Sequence, residues 1–264
     1  MEEGGAIGDS NLVEIYSSIQ GEGIHLGATT LFVRFGGCDL RCRWCDSPNT
    51  WELASECRIE TARGTGKFFT RPNPVSLEDV VEAAGALEVE AHEFVSLTGG
   101  EPLLQPEAVR EIAGVLRGRG TKILLETHGL AAEALQTVIG EVDVVSMDWK
   151  LTSDVRRASD PRNGKVEAFH DAHARFLKIA RRAPEVMVKL VVTPASRDAE
   201  IDEMVDRLKS IAPKTTLILQ PVTPFGQVQE APDAARLLGL CARLSRQLSR
   251  VRVIPQTHTL YAAL

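Results

Sequence analysis

Residues 35–47 read FGGCDLRCRWCDS and place Cys38, Cys42 and Cys45 within eight positions of one another. Thiolates hold iron–sulfur clusters, and three of them on one loop leave the fourth iron of a [4Fe–4S] cluster open to another ligand. A structural zinc site would need a fourth ligand, for which Cys57 is a candidate. Three ordinary core thiols are a further alternative, although this loop is polar and charged. The spacing favours the cluster.

The cysteine loop follows one of seven short apolar or β-branched runs, which alternate with segments of helical period. The runs are residues 30–35, 93–97, 122–126, 143–147, 185–193, 216–220 and 251–254. The helical segments are residues 76–87, 106–116, 130–138, 166–182, 198–211 and 231–248. This alternation predicts βαβ units and a parallel sheet. It leaves open whether the α/β fold is a closed or partial (β/α) barrel or an open doubly wound sheet.

Polar or glycine-rich segments follow five of the predicted strands. They are the cysteine loop and residues 98–102 (TGGEP), 127–129 (THG), 148–150 (DWK) and 221–223 (PVT). Ligands of parallel α/β folds bind at the carboxyl ends of the strands, so these segments predict one shared site. Residues 152–164 look like a loop. We also predict a single domain over residues 1–264, with an insertion loop at about 47–74.

Composition excludes several classes of protein. The net charge is −6, whereas a chain built to bind long nucleic acids would be basic. We find no apolar run of about 18 residues, which a membrane span requires. The acidic N-terminus is unlike a signal peptide, and the five cysteines are too few for a disulfide framework. We therefore expect a cytoplasmic protein with no nucleic-acid or membrane partner.

The cysteine spacing, with Trp44 before the last cysteine, resembles the signature of the radical S-adenosylmethionine (SAM) superfamily. Residues 99–102 resemble the segment that binds the amino group of SAM in that superfamily. The resemblance implies a partial (β/α) barrel of the radical SAM type, with a [4Fe–4S] cluster on Cys38, Cys42 and Cys45. It also implies that SAM binds the fourth iron and is cleaved to a 5′-deoxyadenosyl radical.

Flanking segments narrow this resemblance to the family of 7-carboxy-7-deazaguanine synthases. They are residues 14–23, 32–38, 45–47, 98–102, 126–129 and 255–258. The resemblance implies a lyase of queuosine and 7-deazapurine biosynthesis that converts 6-carboxy-5,6,7,8-tetrahydropterin to 7-carboxy-7-deazaguanine with loss of ammonia. It further implies Mg²⁺, a flavodoxin- or ferredoxin-type reductant and a homodimer.

The same resemblance suggests roles for individual residues. The candidate catalytic residues are Gln20, Glu22, Arg34 and His258. The candidate substrate contacts are Ile19, Gln20, Gly21, Glu22, Arg34, Thr98, His258 and Leu264. The candidate SAM contacts are Trp44, Cys45, Asp46, Gly100, Glu101, Glu126, Ser146, Asp148, Lys150, Gln220, Pro221, Val222 and Thr223. Ser47 is the candidate Mg²⁺ ligand, since Mg²⁺ prefers oxygen.

Three of these assignments have alternatives. Arg34 offers a planar fork for a carboxylate, but an ordinary ion pair would explain it as well. Residues 146–150 depart from the Ser-Pro-Lys common in the family, so Asp148 competes with Lys150 as the SAM contact. A glycyl-radical-enzyme activase would share the cysteine motif, and a zinc-stabilised binding module would leave residues 99–102 without a role.

Overall fold

The computed structural model describes residues 9–161, 164 and 166–260. A ten-stranded sheet dominates the fold, and its strands run in the order β12-β11-β10-β8-β7-β6-β2-β1-β4-β5. A separate pair, β3 and β9, lies outside this sheet. The strands are β1 (Leu12–Ile19), β2 (Thr29–Phe35), β3 (Leu40–Cys42), β4 (Glu56–Glu60), β5 (Phe68–Pro72), β6 (Phe94–Gly99), β7 (Lys122–Thr127), β8 (Val144–Asp148), β9 (Val155–Arg157), β10 (Glu185–Val192), β11 (Thr216–Pro221) and β12 (Val251–Val253).

Six α-helices follow the predicted segments. They are α1 (Leu77–Ala86), α2 (Pro106–Arg117), α3 (Ala132–Val138), α4 (His170–Ala180), α5 (Asp198–Ile211) and α6 (Ala234–Leu244). The start of α1 is fixed by a capping box, in which the Ser76 side chain accepts from the Asp79 amide and the Asp79 carboxylate accepts from the Ser76 amide. Pro106 occupies the first turn of α2, where no backbone donor is needed.

The order of the strands decides between the two expected architectures. Strands β2, β6, β7, β8, β10, β11 and β12 are parallel and lie side by side in chain order. Right-handed crossovers in one direction place the connecting helices on one face, whereas a doubly wound sheet reverses direction and covers both faces. Consecutive helices from α1 to α5 pack against one another. The edge strands β12 and β5 do not pair, so the barrel is partial, as predicted.

The face opposite the helices carries the residues of the site. Along each central strand an apolar side chain is followed, two positions later, by a polar one that points to the same face. The apolar residues form a small buried cluster of Phe94, Leu124, Val144, Met187 and Ile218. The polar residues lie nearer the carboxyl ends of the strands and are Ser96, Glu126, Ser146, Lys189 and Gln220. The apolar layer thus closes the floor beneath a polar one.

Residues 47–74, which we expected to form an insertion loop, contain two strands. They contain β4, which pairs in parallel with β1, and β5, which pairs antiparallel with β4. Cys57 and Ile59 alternate with charged residues and point into the main core, so Cys57 is a buried core thiol. Residues 152–164 likewise contain β9, which pairs with β3 of the cysteine loop.

Strand β1 has no counterpart among the predicted strands. It pairs antiparallel with β2, but the register shifts between Leu12 and Glu14 and breaks the two-residue alternation that would have revealed it. Across residues 9–161, 164 and 166–260, no helix combines the length and the apolar character that a membrane crossing requires.

Candidate active site

A cavity of about 370 Å³ lies at the carboxyl ends of the parallel strands, on the face without helices. The three cysteines of the loop line it together with most of the candidate ligand residues. The predicted residues in its lining are Ile19, Gln20, Gly21, Glu22, Arg34, Cys38, Cys42, Trp44, Cys45, Asp46, Ser47, Thr98, Gly100, Glu126, Ser146, Asp148, Lys150, Gln220, Val222, Thr223 and His258. Glu101 and Pro221 do not line it, and Leu264 lies outside the described residues.

Backbone contacts hold the cysteine loop at the cavity wall. The Cys38 amide donates to the Trp51 carbonyl at 3.0 Å, and the Cys45 amide donates to the Cys42 carbonyl at 3.2 Å. All three cysteines are free, partly buried thiols. Burial raises the pKa of Cys38 to about 12 and that of Cys42 to about 11. Three thiols on one cavity wall fit a cluster that takes three protein ligands.

Among the described residues, no group of three or more His, Cys, Asp or Glu side chains is arranged to hold a single metal ion. The geometric support for a cluster therefore comes from the cysteine spacing and from the position of the three thiols on the cavity wall.

Gly100 packs directly against the backbone of the cysteine loop. A Cβ atom at this position would lie 2.1 Å from the Gly37 carbonyl oxygen and 2.7 Å from the Thr50 carbonyl oxygen. The amide of Glu101 donates to the same Gly37 oxygen at 2.9 Å. A side chain at position 100 would therefore push the loop out of place, and glycine leaves room for the close approach.

The carboxylate of Glu101, an expected SAM contact, is fully buried and does not line the cavity. Its oxygens accept from the Leu103 amide at 3.0 Å, the Thr127 hydroxyl at 2.7 Å and the His128 amide at 2.8 Å. These bonds use the carboxylate within the protein. Glu101 therefore fixes the segment after β6 against the segment after β7, and the preceding residues Thr98, Gly99 and Gly100 line the cavity.

Four charged residues meet on the floor of the cavity. Lys189 forms an ion pair with Glu22, and its ammonium nitrogen lies 3.2 Å from Asp148 Oδ1. Lys150 donates to Asp148 Oδ2 at 2.7 Å. Burial alone would lower the pKa of both lysines, but the adjacent carboxylates, Asp148 first, raise them above the usual value. Burial likewise opposes ionisation of Asp148, whose pKa is nevertheless lowered by the two lysines.

Asp148 and Lys150 both line the cavity, so the structure brings together the two residues that competed for one role. Lys189 was missed by the sequence analysis. The sequence feature that could have revealed it is a single lysine inside the apolar strand β10, whose sequence is EVMVKLVV. Such a residue is costly to bury unless it is paired, so it marks a site.

A second buried carboxylate, Glu126, accepts from the Ser96 hydroxyl at 2.6 Å and from the Gln20 amide at 3.1 Å. Burial raises its pKa, and the nearby Lys189 opposes that shift. The side-chain oxygen of Gln20, Oε1, accepts from the backbone amide of Glu22 at 3.0 Å. The Gln20 side chain therefore joins the end of β7 to the segment after β1.

The segment after β1 also contacts the C-terminal segment. The Thr257 amide donates to the Gly21 carbonyl at 2.9 Å, and a Cβ at position 21 would lie 2.8 Å from that of His258. The Gln256 amide donates to Glu22 at 2.6 Å and to Asp46 at 3.2 Å. Residues from the two ends of the sequence and the cysteine loop thus close one side of the cavity.

Three buried polar atoms in the lining residues have no hydrogen-bond partner among the described residues, namely Arg34 Nε, Asp148 Oδ1 and Gln220 Oε1, although Asp148 Oδ1 forms the ion pair with Lys189. The Arg34 guanidinium lies 5.8 Å from the centre of the Tyr16 ring and 3.8 Å from Glu14. Burial raises the pKa of Tyr16 to about 12. Unpaired polar groups of this kind fit a cavity that receives polar ligands.

Two histidines to which the sequence assigned no role support this site. His128 lines the cavity, and its Nε2 lies 2.8 Å from Asp39. Burial would lower the pKa of His128, but Glu101 and Asp39 raise it. His173 is buried behind the site, where Nδ1 donates to the Gly129 carbonyl and Nε2 accepts from the Lys150 amide, both at 2.9 Å. Burial lowers the pKa of His173 well below its usual value.

Comparison with solved structures shows the fold. The crystal structure of QueE from Escherichia coli has a TM-score of 0.59 and 22% sequence identity, over 95% of each chain. The structure of TYW1 with a lysine-pyruvate adduct bound has a TM-score of 0.55 and 12% identity, over 83% of this chain and 74% of that chain. The chain thus shares its fold with both structures.

Comparison of sequences shows the family. Residues 32–208 match the Radical SAM superfamily. The 7-carboxy-7-deazaguanine synthase of Geobacter sulfurreducens is 37% identical over 254 residues, which cover 94% of this chain and 96% of that protein. The synthase of Thermococcus kodakarensis is 35% identical, over 86% of this chain and 92% of that protein. The chain therefore belongs to the radical SAM superfamily and, within it, to the family of 7-carboxy-7-deazaguanine synthases.

Proposed function

We propose that this enzyme converts 6-carboxy-5,6,7,8-tetrahydropterin to 7-carboxy-7-deazaguanine with loss of ammonia, in queuosine and 7-deazapurine biosynthesis. One observation supports this most strongly. A single cavity is lined both by the three cysteines and by Glu22, Arg34 and His258, the residues that the family resemblance assigns to a pterin. A glycyl-radical-enzyme activase would give those three residues no shared purpose.

The family implies a [4Fe–4S] cluster and SAM, and we assign the cluster to Cys38, Cys42 and Cys45. When bound, the cluster and SAM supply the radical that takes hydrogen from the substrate. Gly100 lets the backbone after β6 pack directly against the cysteine loop, and Lys150 places a cation near Cys42. We propose that Lys150 pairs with the SAM carboxylate. The remaining candidate SAM contacts in the lining keep their proposed roles.

The pterin is bound by three groups in this proposal. The Glu22 carboxylate accepts from ring N–H donors, which an ionised carboxylate does more strongly than a neutral group. The Arg34 guanidinium, whose Nε has no partner among the described residues, binds the substrate carboxylate through two parallel hydrogen bonds. His258 lies against Gly21 at the side of the cavity and limits the space available to the ring. Thr98 and Ile19 supply further contacts.

We also propose that Ser47 binds Mg²⁺. Its hydroxyl lines the cavity and donates to Asp46 Oδ1 at 3.0 Å, so an oxygen-rich pair stands at the mouth of the site. Mg²⁺ prefers oxygen ligands and keeps several waters, which suits one hydroxyl at an open position. The ion would orient the substrate carboxylate and stabilise charge during ring contraction.

Three further features complete the proposal: a flavodoxin- or ferredoxin-type reductant, a homodimeric assembly and a cytoplasmic location. They follow from the family resemblance and from the acidic, cysteine-poor composition. Size-exclusion chromatography with light scattering would measure the mass of the assembly.

The activity is tested by anaerobic incubation of cluster-loaded protein with dithionite, SAM, Mg²⁺ and 6-carboxytetrahydropterin, followed by mass spectrometry. We expect 7-carboxy-7-deazaguanine from the wild type and none from Cys42→Ala. The matched control is Cys241→Ala, which removes a thiol from α6 outside the cavity. Formation of 5′-deoxyadenosine without the deazaguanine would contradict the proposed substrate and leave the radical chemistry standing.

A further inference from the structure

Four charged side chains of alternating sign form a continuous series along the cavity floor, which we call the charge chain. Its members in order are Glu22, Lys189, Asp148 and Lys150. Their side chains are 18%, 8%, 21% and 9% exposed. At such burial the attraction between neighbours is weakly screened by water and salt. The position of each member therefore depends on the charge beside it.

The two ends of the charge chain face different ligands in the proposed function. Glu22 would accept from the pterin, and Lys150 would pair with the SAM carboxylate. Lys189 has neither assignment, because it contacts Glu22 on one side and Asp148 on the other. The ammonium of Lys189 thus lies between the two halves of the cavity.

We propose that Lys189 is a positioning residue that makes the binding of SAM and the binding of the pterin favour each other. This inference depends on the proposed function, since it requires that Glu22 and Lys150 serve two ligands. Lys189 does not react with either ligand. Its ammonium group shifts between the Glu22 and Asp148 carboxylates according to which ligand is bound.

The sign of the coupling follows from the order of charges. When the SAM carboxylate occupies Lys150, Asp148 loses part of its pairing with that lysine and attracts Lys189 more strongly. Lys189 then withdraws from Glu22 Oε2, and this oxygen becomes available to an N–H donor of the pterin. In the other direction, a pterin bound at Glu22 releases Lys189 toward Asp148 and frees Lys150 for SAM. Each ligand therefore removes a cost of binding the other.

The backbone around Lys189 fits this exchange. Lys189 and Asp148 face each other in the parallel pairing of β10 and β8, and the Trp149 amide donates to the Lys189 carbonyl at 2.7 Å. Their separation is thus fixed by the sheet. Glu22 lies instead on the segment after β1, where its other oxygen, Oε1, accepts from Gln256 at 2.6 Å and Gln220 at 3.2 Å. These amides keep Glu22 in place when Lys189 withdraws.

The test measures binding without turnover. SAM is titrated into cluster-loaded enzyme by anaerobic calorimetry without a reductant, with and without saturating 6-carboxytetrahydropterin. In the wild type we expect the pterin to lower the Kd for SAM by about 5- to 50-fold, and SAM to lower the Kd for the pterin by the same factor. In Lys189→Met the ratio of the Kd for SAM without the pterin to the Kd for SAM with the pterin falls to about 1. Lys189→Arg, which keeps a cation, restores part of it.

The control is Lys178→Met, which removes an exposed lysine from α4 and keeps the wild-type ratio. A ratio of 1 in the wild type, or an unchanged ratio in Lys189→Met when both ligands bind, overturns the inference. Failure of the pterin to bind wild-type enzyme instead refutes the proposed substrate, and the inference with it. If circular dichroism or iron content shows that Lys189→Met is misfolded, Asp148→Asn is used, and the same loss of coupling is expected.

Discussion

Replacement of Gly100 by alanine tests whether the segment after β6 holds the cysteine loop in place. The new Cβ would lie 2.1 Å from the Gly37 carbonyl oxygen, and that gap must open to about 3.0 Å. The same oxygen accepts from the Glu101 amide at 2.9 Å, and the Gly37 amide donates to the Thr50 carbonyl at 2.9 Å. Overpacking plus one or two weakened hydrogen bonds lowers the free energy of unfolding by about 2–4 kcal/mol.

This loss is measured in two ways. For a domain of this size we expect the Tm of the cluster-free protein to fall by roughly 5–15 °C. Because Gly37 is bonded to Cys38, we also expect less iron and sulfide per chain after anaerobic reconstitution. Gly239→Ala is the matched control, since its Cβ meets no atom within 4 Å inside α6, and alanine there should add about 0.5–1 kcal/mol to stability. A Gly100→Ala protein with the wild-type Tm and iron content would refute the close approach.

Three further predictions concern the other parts of the site. Burial lowers the pKa of His173 in the folded chain. Below pH 6.5, the usual pKa of a histidine, the unfolded chain therefore binds a proton on this residue that the folded chain does not bind. The free energy of unfolding should therefore fall as the pH drops below 6.5, by up to about 1.4 kcal/mol per pH unit from this group. Urea titrations at several pH values should show that the free energy of unfolding depends less on pH in His173→Asn. Arg34→Lys keeps the charge but loses the bidentate fork, so the KM for the pterin should rise by about 10- to 100-fold, with a smaller change in kcat. An unchanged KM would place the substrate carboxylate elsewhere. Ser47→Ala should raise the Mg²⁺ concentration needed for half-maximal turnover, and an unchanged Mg²⁺ profile would remove Ser47 from the metal site.

Proximity between residues far apart in sequence is what makes the cavity. The Glu22 carboxylate lies between Lys189 on β10 and Gln256 near the C-terminal end. Neither contact follows from sequence spacing, since both cross more than half of the chain. The partial barrel brings them together, since Lys189 lies on one parallel strand and Gln256 follows another, while Glu22 follows β1, which runs antiparallel to β2.

The sequence alone determined the parallel strands, the helices between them and the chemistry of the cysteine loop. Seven apolar runs separated by helical segments gave a parallel sheet, because periodicity depends only on local side-chain patterning. The spacing of Cys38, Cys42 and Cys45 and the flanking motifs identified the family, since ligand identity and spacing are written directly in the chain.

Only the tertiary structure decided how the buried charges are paired. A lysine inside the apolar strand β10 has no local explanation, and its partners, Glu22 and Asp148, come from two other parts of the chain. Glu101 and Gly100 are adjacent in sequence, yet one is buried within the protein and the other lines the cavity. The physical reason is that solvation and charge pairing depend on neighbours in space, which the folded sheet supplies and sequence order does not.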